Sequence, residues 1–294
     1  MKIPDLASPV DVVLDTDAYN EIDDQFAIAY LLRSKPRLNT VALYAAPFSN
    51  ALASTPGEGM EKSYREILHL LTLCGETVDV FRGACTYLPD ENTPAPSPAA
   101  RDLADRAMGY SSEAPLYVVA IGAITNIASA LLLEPRIRDR IVVVWLGGHA
   151  HHWHDTLEFN MRQDLKAARV VMRAGVPFVQ LPCRGVVSEF ATTAPELEAL
   201  FYDKNPLADY LARNTVRQMK NKGFTEIWSK PLWDVTAIGW LLNEDECFMR
   251  CRTESIRLPD DNGHYQPPIG AQMCYVYGIH RDKLMTDLVE KLTK

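Results

Sequence analysis

The sequence of 294 residues has no long apolar run, which argues against a membrane-spanning helix. Residues 1–10 also lack the apolar core of a secretory signal peptide. Basic residues are scarce, because 30 Lys and Arg stand against 38 Asp and Glu and give a net charge of −8. A surface that binds nucleic acid regardless of sequence needs a basic excess. We therefore expect neither a membrane nor a nucleic acid polymer as a partner.

Cysteine occurs at only six positions, and no Cys-x-x-Cys pair is present. Scattered cysteines in a long chain favour reduced, mostly buried thiols in a cytoplasmic protein over a disulfide framework. Cys247 and Cys251 could share a helix face, but two thiols alone do not make a metal site.

Short apolar runs alternate with segments of helical periodicity along most of the chain. The sequence predicts strands at residues 10–14, 40–46, 115–121, 141–146 and 176–181. It predicts helices at residues 25–32, 60–71 and 125–133, of which the second is closed by Gly75, and one that Asp164 opens and Gly175 ends. This alternation predicts an α/β fold that is Rossmann-like, with a mostly parallel central sheet and helices on both faces.

The last third of the chain has a different character, with long helical patterns and little strand. Residues 195–221 and 230–242 are predicted as helices that form a helical C-terminal cap on the same domain. A strand near residues 273–277 and a helix from Arg281 complete the prediction. The chain has no internal repeat, so we expect residues 1–294 to form a single domain.

An acidic cluster follows the first predicted strand. Within residues 15–24 it contains five acids, which are Asp15, Asp17, Glu21, Asp23 and Asp24. Ligands of an open parallel sheet bind beyond the carboxyl ends of its strands, which is where these acids fall. Crowded carboxylates repel one another unless a cation neutralises them, and oxygen ligands favour Ca²⁺ or Mg²⁺. The alternative is a solvated acidic loop in which Asp23 or Asp24 caps the next helix.

Further short motifs follow the D-x-D and D-D pairs of the acidic cluster. They are Asn50 at the end of loop 45–50, Gly-Ala-Ile-Thr-Asn at 122–126, Gly-Gly at 147–148, Glu-Phe-Asn at 158–160 before Asp164, and Trp233-Asp234. Each motif alone is weak, but together and in this order they resemble the nucleoside hydrolase family over nearly the whole chain. The resemblance implies an enzyme that hydrolyses the N-glycosidic bond of ribonucleosides to a free base and ribose.

The resemblance also implies a role for each matching residue. Ca²⁺ would be bound by three carboxylates and one main-chain carbonyl, which belong to Asp17, Asp24, Asp234 and Thr125. Asp17 would also activate water as the general base, and Asp15 would support it from behind. The ribose hydroxyls would be held by Asp23, Asn50, Glu158 and Asn160. The transition state would resemble an oxocarbenium ion, and the enzyme would be a homodimer or homotetramer.

Two departures from the family pattern concern the leaving base. Trp233 stands where the family usually has His, and an indole N–H cannot act as a general acid near neutral pH. Trp233 could stack on the base while another residue supplies the proton. The loop 148–154 contains four histidines. The family often has an Asn about six residues before the Glu of the Glu-Phe-Asn motif, and that offset selects His152 as the first choice for a catalytic role. Alternatively, these histidines form a chance surface cluster.

Two other functions compete with this interpretation. The loss of the usual His is compatible with a non-catalytic relative that binds ribosides or calcium. The pair Asp15 and Asp17 also resembles the D-x-D motif of haloacid-dehalogenase-like phosphatases. That family expects Thr or Val where this sequence has Tyr19, and a Gly-Asp pair that this sequence lacks, which disfavours it.

Overall fold

A computed structural model describes residues 9–225 and 227–294, in which strands and helices alternate along the chain. The strands are β1 Val10–Thr16, β2 Leu38–Ala45, β3 Val80–Arg82, β4 Leu116–Ala120, β5 Ile141–Leu146, β6 Phe178–Leu181, β7 Ala191–Thr192, β8 Lys230–Pro231, β9 Met249–Ser255 and β10 Gln272–Ile279. The helices are α1 Asp23–Leu32, α2 Pro56–Cys74, α3 Pro98–Arg106, α4 Thr125–Leu133, α5 Phe159–Gln163, α6 Leu165–Arg173, α7 Ala194–Phe201, α8 Pro206–Asn221, α9 Val235–Leu241 and α10 Arg281–Thr293.

The main sheet has eight strands in the order β3-β2-β1-β4-β5-β6-β10-β9. All neighbours are parallel except β9 and β10, so the predicted mostly parallel sheet is confirmed. The chain runs outward from β1 to β3 and then returns to β4 on the other side of β1. This reversal opens a crevice between the carboxyl ends of β1 and β4, which is the usual ligand site of such sheets.

Apolar side chains cover both faces of the sheet. Strand β5 is buried along its whole length, as a parallel strand between two helical layers should be. One apolar cluster contains α1, α8 and α10, and the other contains α3, α4 and α6 on the opposite face. The predicted helix ends also agree with the structure. Asp164 caps α6 through the main-chain N–H of Ala167, and Gly75 ends α2 with a φ of 66°.

The C-terminal third differs in detail from the sequence prediction. The predicted helix 195–221 is two helices, because Asn205 caps a new helix that starts at Pro206. Residues 230–231 form a short strand with β7 instead of starting a helix, and α9 begins only at Val235. Strand β9 was not predicted, since its exposed edge carries alternating charged residues. In the described part of the chain, no helix is both long and apolar enough to cross a membrane.

Candidate active site

A cavity of about 400 Å³ lies at the carboxyl ends of β1, β5 and β6, next to the start of α9. A volume of this size suits a small organic ligand. It brings together most of the site residues predicted from the sequence, which are Asp17, Asp23, Asp24, Asn50, Glu158, Asn160, Trp233 and Asp234. Asp15, Thr125 and His152 do not line it.

The end of β1 is held tightly against its neighbours. The main-chain carbonyl of Asp15 accepts a hydrogen bond from the Ile121 N–H at 2.9 Å. A Cβ atom at Gly122 would lie 3.2 Å from the main-chain nitrogen of Asp17 and 2.9 Å from the Ala46 side chain. Glycine at 122 therefore permits the close approach that places Asp17 at the mouth of the crevice.

Asp15 lies behind the acidic cluster and is fully buried. Its Oδ1 atom accepts a hydrogen bond from Asn126 Nδ2 at 2.8 Å. Burial raises the pKa of Asp15 to about 7, although the bond from Asn126 opposes that shift. Thr125, at the first turn of α4, donates its hydroxyl to Asp164 at 2.7 Å. Asp15 and Thr125 therefore both bond to residues that do not line the cavity, namely Asn126 and Asp164.

The three aspartates predicted to bind metal are buried together. Thr16 Oγ1 donates to Asp24 Oδ1 at 2.5 Å, and Asp24 also lies within hydrogen-bonding range of Asp17 and Asp234. Burial and the neighbouring carboxylates raise the pKa values of Asp17 and Asp234 well above the ordinary range and that of Asp24 to about 7. Carboxyl groups this close need a shared proton or a cation to remain stable.

The cluster fits a hard cation in its chemistry. It is an oxygen-only donor set, and within the described residues Asp17 Oδ2 is buried without a hydrogen-bond partner. In residues 9–225 and 227–294, however, no three His, Cys, Asp or Glu side chains already surround a common point at metal-binding distance. The Asp24 carboxyl group is instead in direct contact with those of Asp17 and Asp234.

Lys230 is a buried positive charge in contact with two acids that line the cavity, and the sequence did not indicate this role. Its Nζ atom lies 2.8 Å from Asp23 Oδ1 and 3.0 Å from Glu21 Oε2, and its side chain is 4% exposed. Burial opposes the charge of Lys230, but Asp23 and Glu21 together raise its pKa above the ordinary value. Burial tends to raise the pKa of Glu21, but the charges of Lys230 and Lys222 hold that pKa below its usual value. Asp23 is therefore already ion-paired on Oδ1, while its Oδ2 accepts a long hydrogen bond of 3.4 Å from the Asp234 main-chain N–H.

Two of the other predicted ribose-binding side chains, Glu158 and Asn160, are fixed by the protein main chain. Glu158 accepts hydrogen bonds from the N–H groups of Gly148, Asn160 and Met161, while burial raises its pKa to about 7. Asn160 Nδ2 donates to the carbonyls of Ile121 and Leu146, at the ends of β4 and β5. Such bonds fix side-chain orientation before a ligand arrives.

In the histidine loop, residues 148–154, the imidazole that lines the cavity is that of His149 and not that of the predicted His152. His152 is exposed and lies beside Gly185, whereas His149 is buried and lines the cavity. The loop turns back at Ala150, whose N–H donates to the carbonyl of Arg184, so the later histidines point away. His149 Nδ1 accepts the Arg184 N–H at 3.3 Å, which leaves the ring hydrogen on Nε2. Burial lowers the pKa of His149 to about 4.

Trp233 lines the cavity immediately before α9. Its indole Nε1 donates to Ser188 Oγ at 2.9 Å, and Lys230 Nζ lies 4.1 Å from the ring centroid. These two contacts fix the ring orientation. The indole N–H is already used within the protein, so it is not free to donate to a ligand.

Comparisons with known proteins agree with the geometry. The family described as inosine-uridine preferring nucleoside hydrolase matches residues 12–276. The chain is 26% identical to the non-specific ribonucleoside hydrolase RihC of Salmonella paratyphi A, over 92% of this chain and 94% of that protein. Among solved structures, it is similar to the purine-preferring ribonucleoside hydrolase from Gardnerella vaginalis, with a TM-score of 0.73, 20% identity, and 96% and 98% coverage. A plant nucleoside hydrolase gives a TM-score of 0.72 at 21% identity, with 97% and 99% coverage.

Proposed function

The chain belongs to the inosine-uridine preferring nucleoside hydrolase family, and on this premise we propose that it hydrolyses ribonucleosides to a free base and ribose. One observation carries the proposal. Asp24 is buried in contact with both Asp17 and Asp234 near the crevice between β1 and β4, and Asp17 Oδ2 has no partner among the described residues. Keeping several buried carboxylates ionised costs free energy, so the arrangement favours a ligand that neutralises them.

We propose Ca²⁺ as that ligand, bound by Asp17, Asp24, Asp234 and the carbonyl of Thr125. When bound, the ion would supply positive charge for the 2′- and 3′-hydroxyls and lower the pKa of the attacking water. Asp17 would accept the proton from that water on Oδ2. Asp15, held by Asn126, would keep the end of β1 in place.

The ribose would be gripped by Asp23, Asn50, Glu158 and Asn160, all of which line the cavity. As the C1′–N bond breaks, positive charge develops on the sugar, and the surrounding carboxylates would stabilise it. Glu158 suits this role, because three main-chain N–H groups hold it in one position.

For the leaving base we propose a shared role of Trp233 and His149. Trp233 would provide an aromatic surface for the base. His149 carries its hydrogen on Nε2 and would donate a hydrogen bond to the departing base. A neutral imidazole donor agrees with the lowered pKa of His149. His152, which is exposed beside Gly185, has no part in this scheme.

Hydrolysis of p-nitrophenyl riboside with and without a chelator tests the proposal. We expect turnover that the chelator abolishes and added calcium restores. Asp17→Asn should lower kcat by on the order of 10²- to 10⁴-fold, the usual contribution of a general base. Asp105→Asn, at an exposed position on α3, is the matched control and should leave turnover unchanged. Binding of a ribose analogue without turnover of any riboside would favour a non-catalytic relative instead.

Cytoplasmic location and assembly into a homodimer or homotetramer stay predictions. Light scattering of the purified protein would measure the assembly directly.

A further inference from the structure

Two arginines lie at the rim of the cavity and have no evident use for a neutral nucleoside. Arg162 belongs to α5, just beyond Asn160, and Arg184 belongs to the turn that follows β6. Both line the cavity, and both are exposed. The same cavity is lined by Asp17, Asp23, Asp24 and Asp234, so it presents both carboxylates and guanidinium groups.

Neither guanidinium lies within ion-pair distance of a carboxylate in the described part of the chain, although the charge of Arg162 acts against the rise in the pKa of Glu158 that burial causes. Arg162 lies over the Phe159 ring, 5.2 Å from its centroid, and Arg184 is bonded to His149 only through its main-chain N–H. Lys230 differs from these arginines, because its ammonium group is ion-paired with Asp23 and Glu21. The rim therefore retains two positive charges that can meet a ligand.

The chemistry of a guanidinium identifies the kind of group that this rim would bind. Arginine presents a planar set of N–H donors that matches the oxygens of a phosphate. The net charge of −8 repels anions from the protein as a whole, so two unpaired cations beside the cavity create a local exception. The aspartates would repel a phosphate and, with a bound cation, attract a diol. The aspartates and the two arginines would thus orient a ligand that has a diol at one end and an anion at another.

We propose that the preferred substrates are ribosyl compounds with a phosphate on the 5′ oxygen, and that Arg162 and Arg184 bind this phosphate. This inference rests on the proposed function. The base is attached to C1′, and the aspartates with their cation would bind the 2′,3′-diol. The 5′ oxygen is therefore the remaining position on the sugar. Water would attack C1′, the C1′–N bond would break, and the products would be the free base and ribose 5-phosphate. The phosphate ester bond stays intact.

The test compares kcat/KM for inosine and uridine with kcat/KM for their 5′-monophosphates, using the calcium-loaded protein. We expect the monophosphates to be preferred by tenfold or more. Arg162→Gln and Arg184→Gln should each lower the ratio of monophosphate to nucleoside by roughly tenfold, as the loss of a charge-assisted hydrogen bond does. Arg101→Gln, at an exposed position on α3, is the control and should leave the ratio unchanged.

Inhibition by ribose 5-phosphate and by ribose gives a second measurement that does not depend on the base. Stronger inhibition by ribose 5-phosphate, lost in the double variant, would support the inference. Equal turnover of nucleosides and monophosphates would overturn it and leave the proposed function standing. Dependence on the arginines for orotidine, whose base carries a carboxylate, without any for the monophosphates would also overturn it. Turnover of neither class would count against the proposed function itself.

Discussion

Replacing Lys230 by methionine would remove the buried cation that pairs with both Asp23 and Glu21. Methionine keeps the length and apolar stem of lysine but leaves Asp23 and Glu21 without their shared partner. Asp23 is 1% exposed and Glu21 is 31% exposed, so water can compensate only the second of these charges. The change should therefore act on Asp23 above all.

Removing one partner of a buried ion pair costs about 3–5 kcal/mol, because the other charge stays buried and unpaired. In a chain of this size each kcal/mol lowers Tm by about 2 °C, so we expect a loss of roughly 6–10 °C in chelator. The same change makes the cluster more negative. Calcium should then bind more tightly, on the order of tenfold, since the Coulomb attraction grows with the uncompensated charge.

Thermal unfolding in chelator and calcium titration by calorimetry would measure the two effects. Lys222→Met is the matched control, because Lys222 pairs with the same Glu21 at 3.0 Å but is 44% exposed. An exposed pair contributes about 0–1 kcal/mol, so this variant should lose at most about 2 °C. A Lys230→Met protein with unchanged Tm, or with weaker calcium binding, would refute the reasoning.

Three further predictions follow from the site. His149→Gln should lower kcat/KM for nucleosides by about tenfold to a hundredfold but leave p-nitrophenyl riboside unaffected, since that leaving group needs no proton; the exposed His154→Gln is the control. Trp233→Ala should raise KM for nucleosides more than it lowers kcat, and the reverse pattern would exclude stacking. The pKa of Asp15 is raised to about 7 in the folded protein, so the folded state binds this proton more tightly than the unfolded state does. The free energy of unfolding of the metal-free protein should therefore fall as pH rises from about 4 to about 7. In Asp15→Asn this slope should flatten, as urea unfolding in chelator would show.

The fold was predictable because its strands are buried on both faces. Strand β5 reads as an uninterrupted apolar run, and the predicted helix of residues 125–133 matches α4 in both bounds. Strand β9 escaped prediction since it lies at the edge of the sheet and carries Arg250, Arg252 and Glu254. An edge strand has no apolar signal on its exposed face.

In the site, residues within fixed strand-to-helix turns were easier to place than residues in loops. The spacing of Asp17 and Asp24 follows from β1 and α1, and both line the cavity. The position of His149 depends on where the loop reverses, which sequence offsets do not encode. Lys230 was assigned to a helix, and nothing in its local sequence indicated that it would meet Asp23 across 207 positions.

The contact between Lys230 and Asp23 forms only after most of the chain has been synthesised. Asp23, near the start of the chain, contacts Lys230 and Asp234 in its last quarter. No short fragment therefore contains a complete site. A growing chain would carry the exposed acids of residues 15–24 for most of its synthesis before their partners emerge. Cation binding should consequently appear late in folding, and it would report that the two distant segments have met.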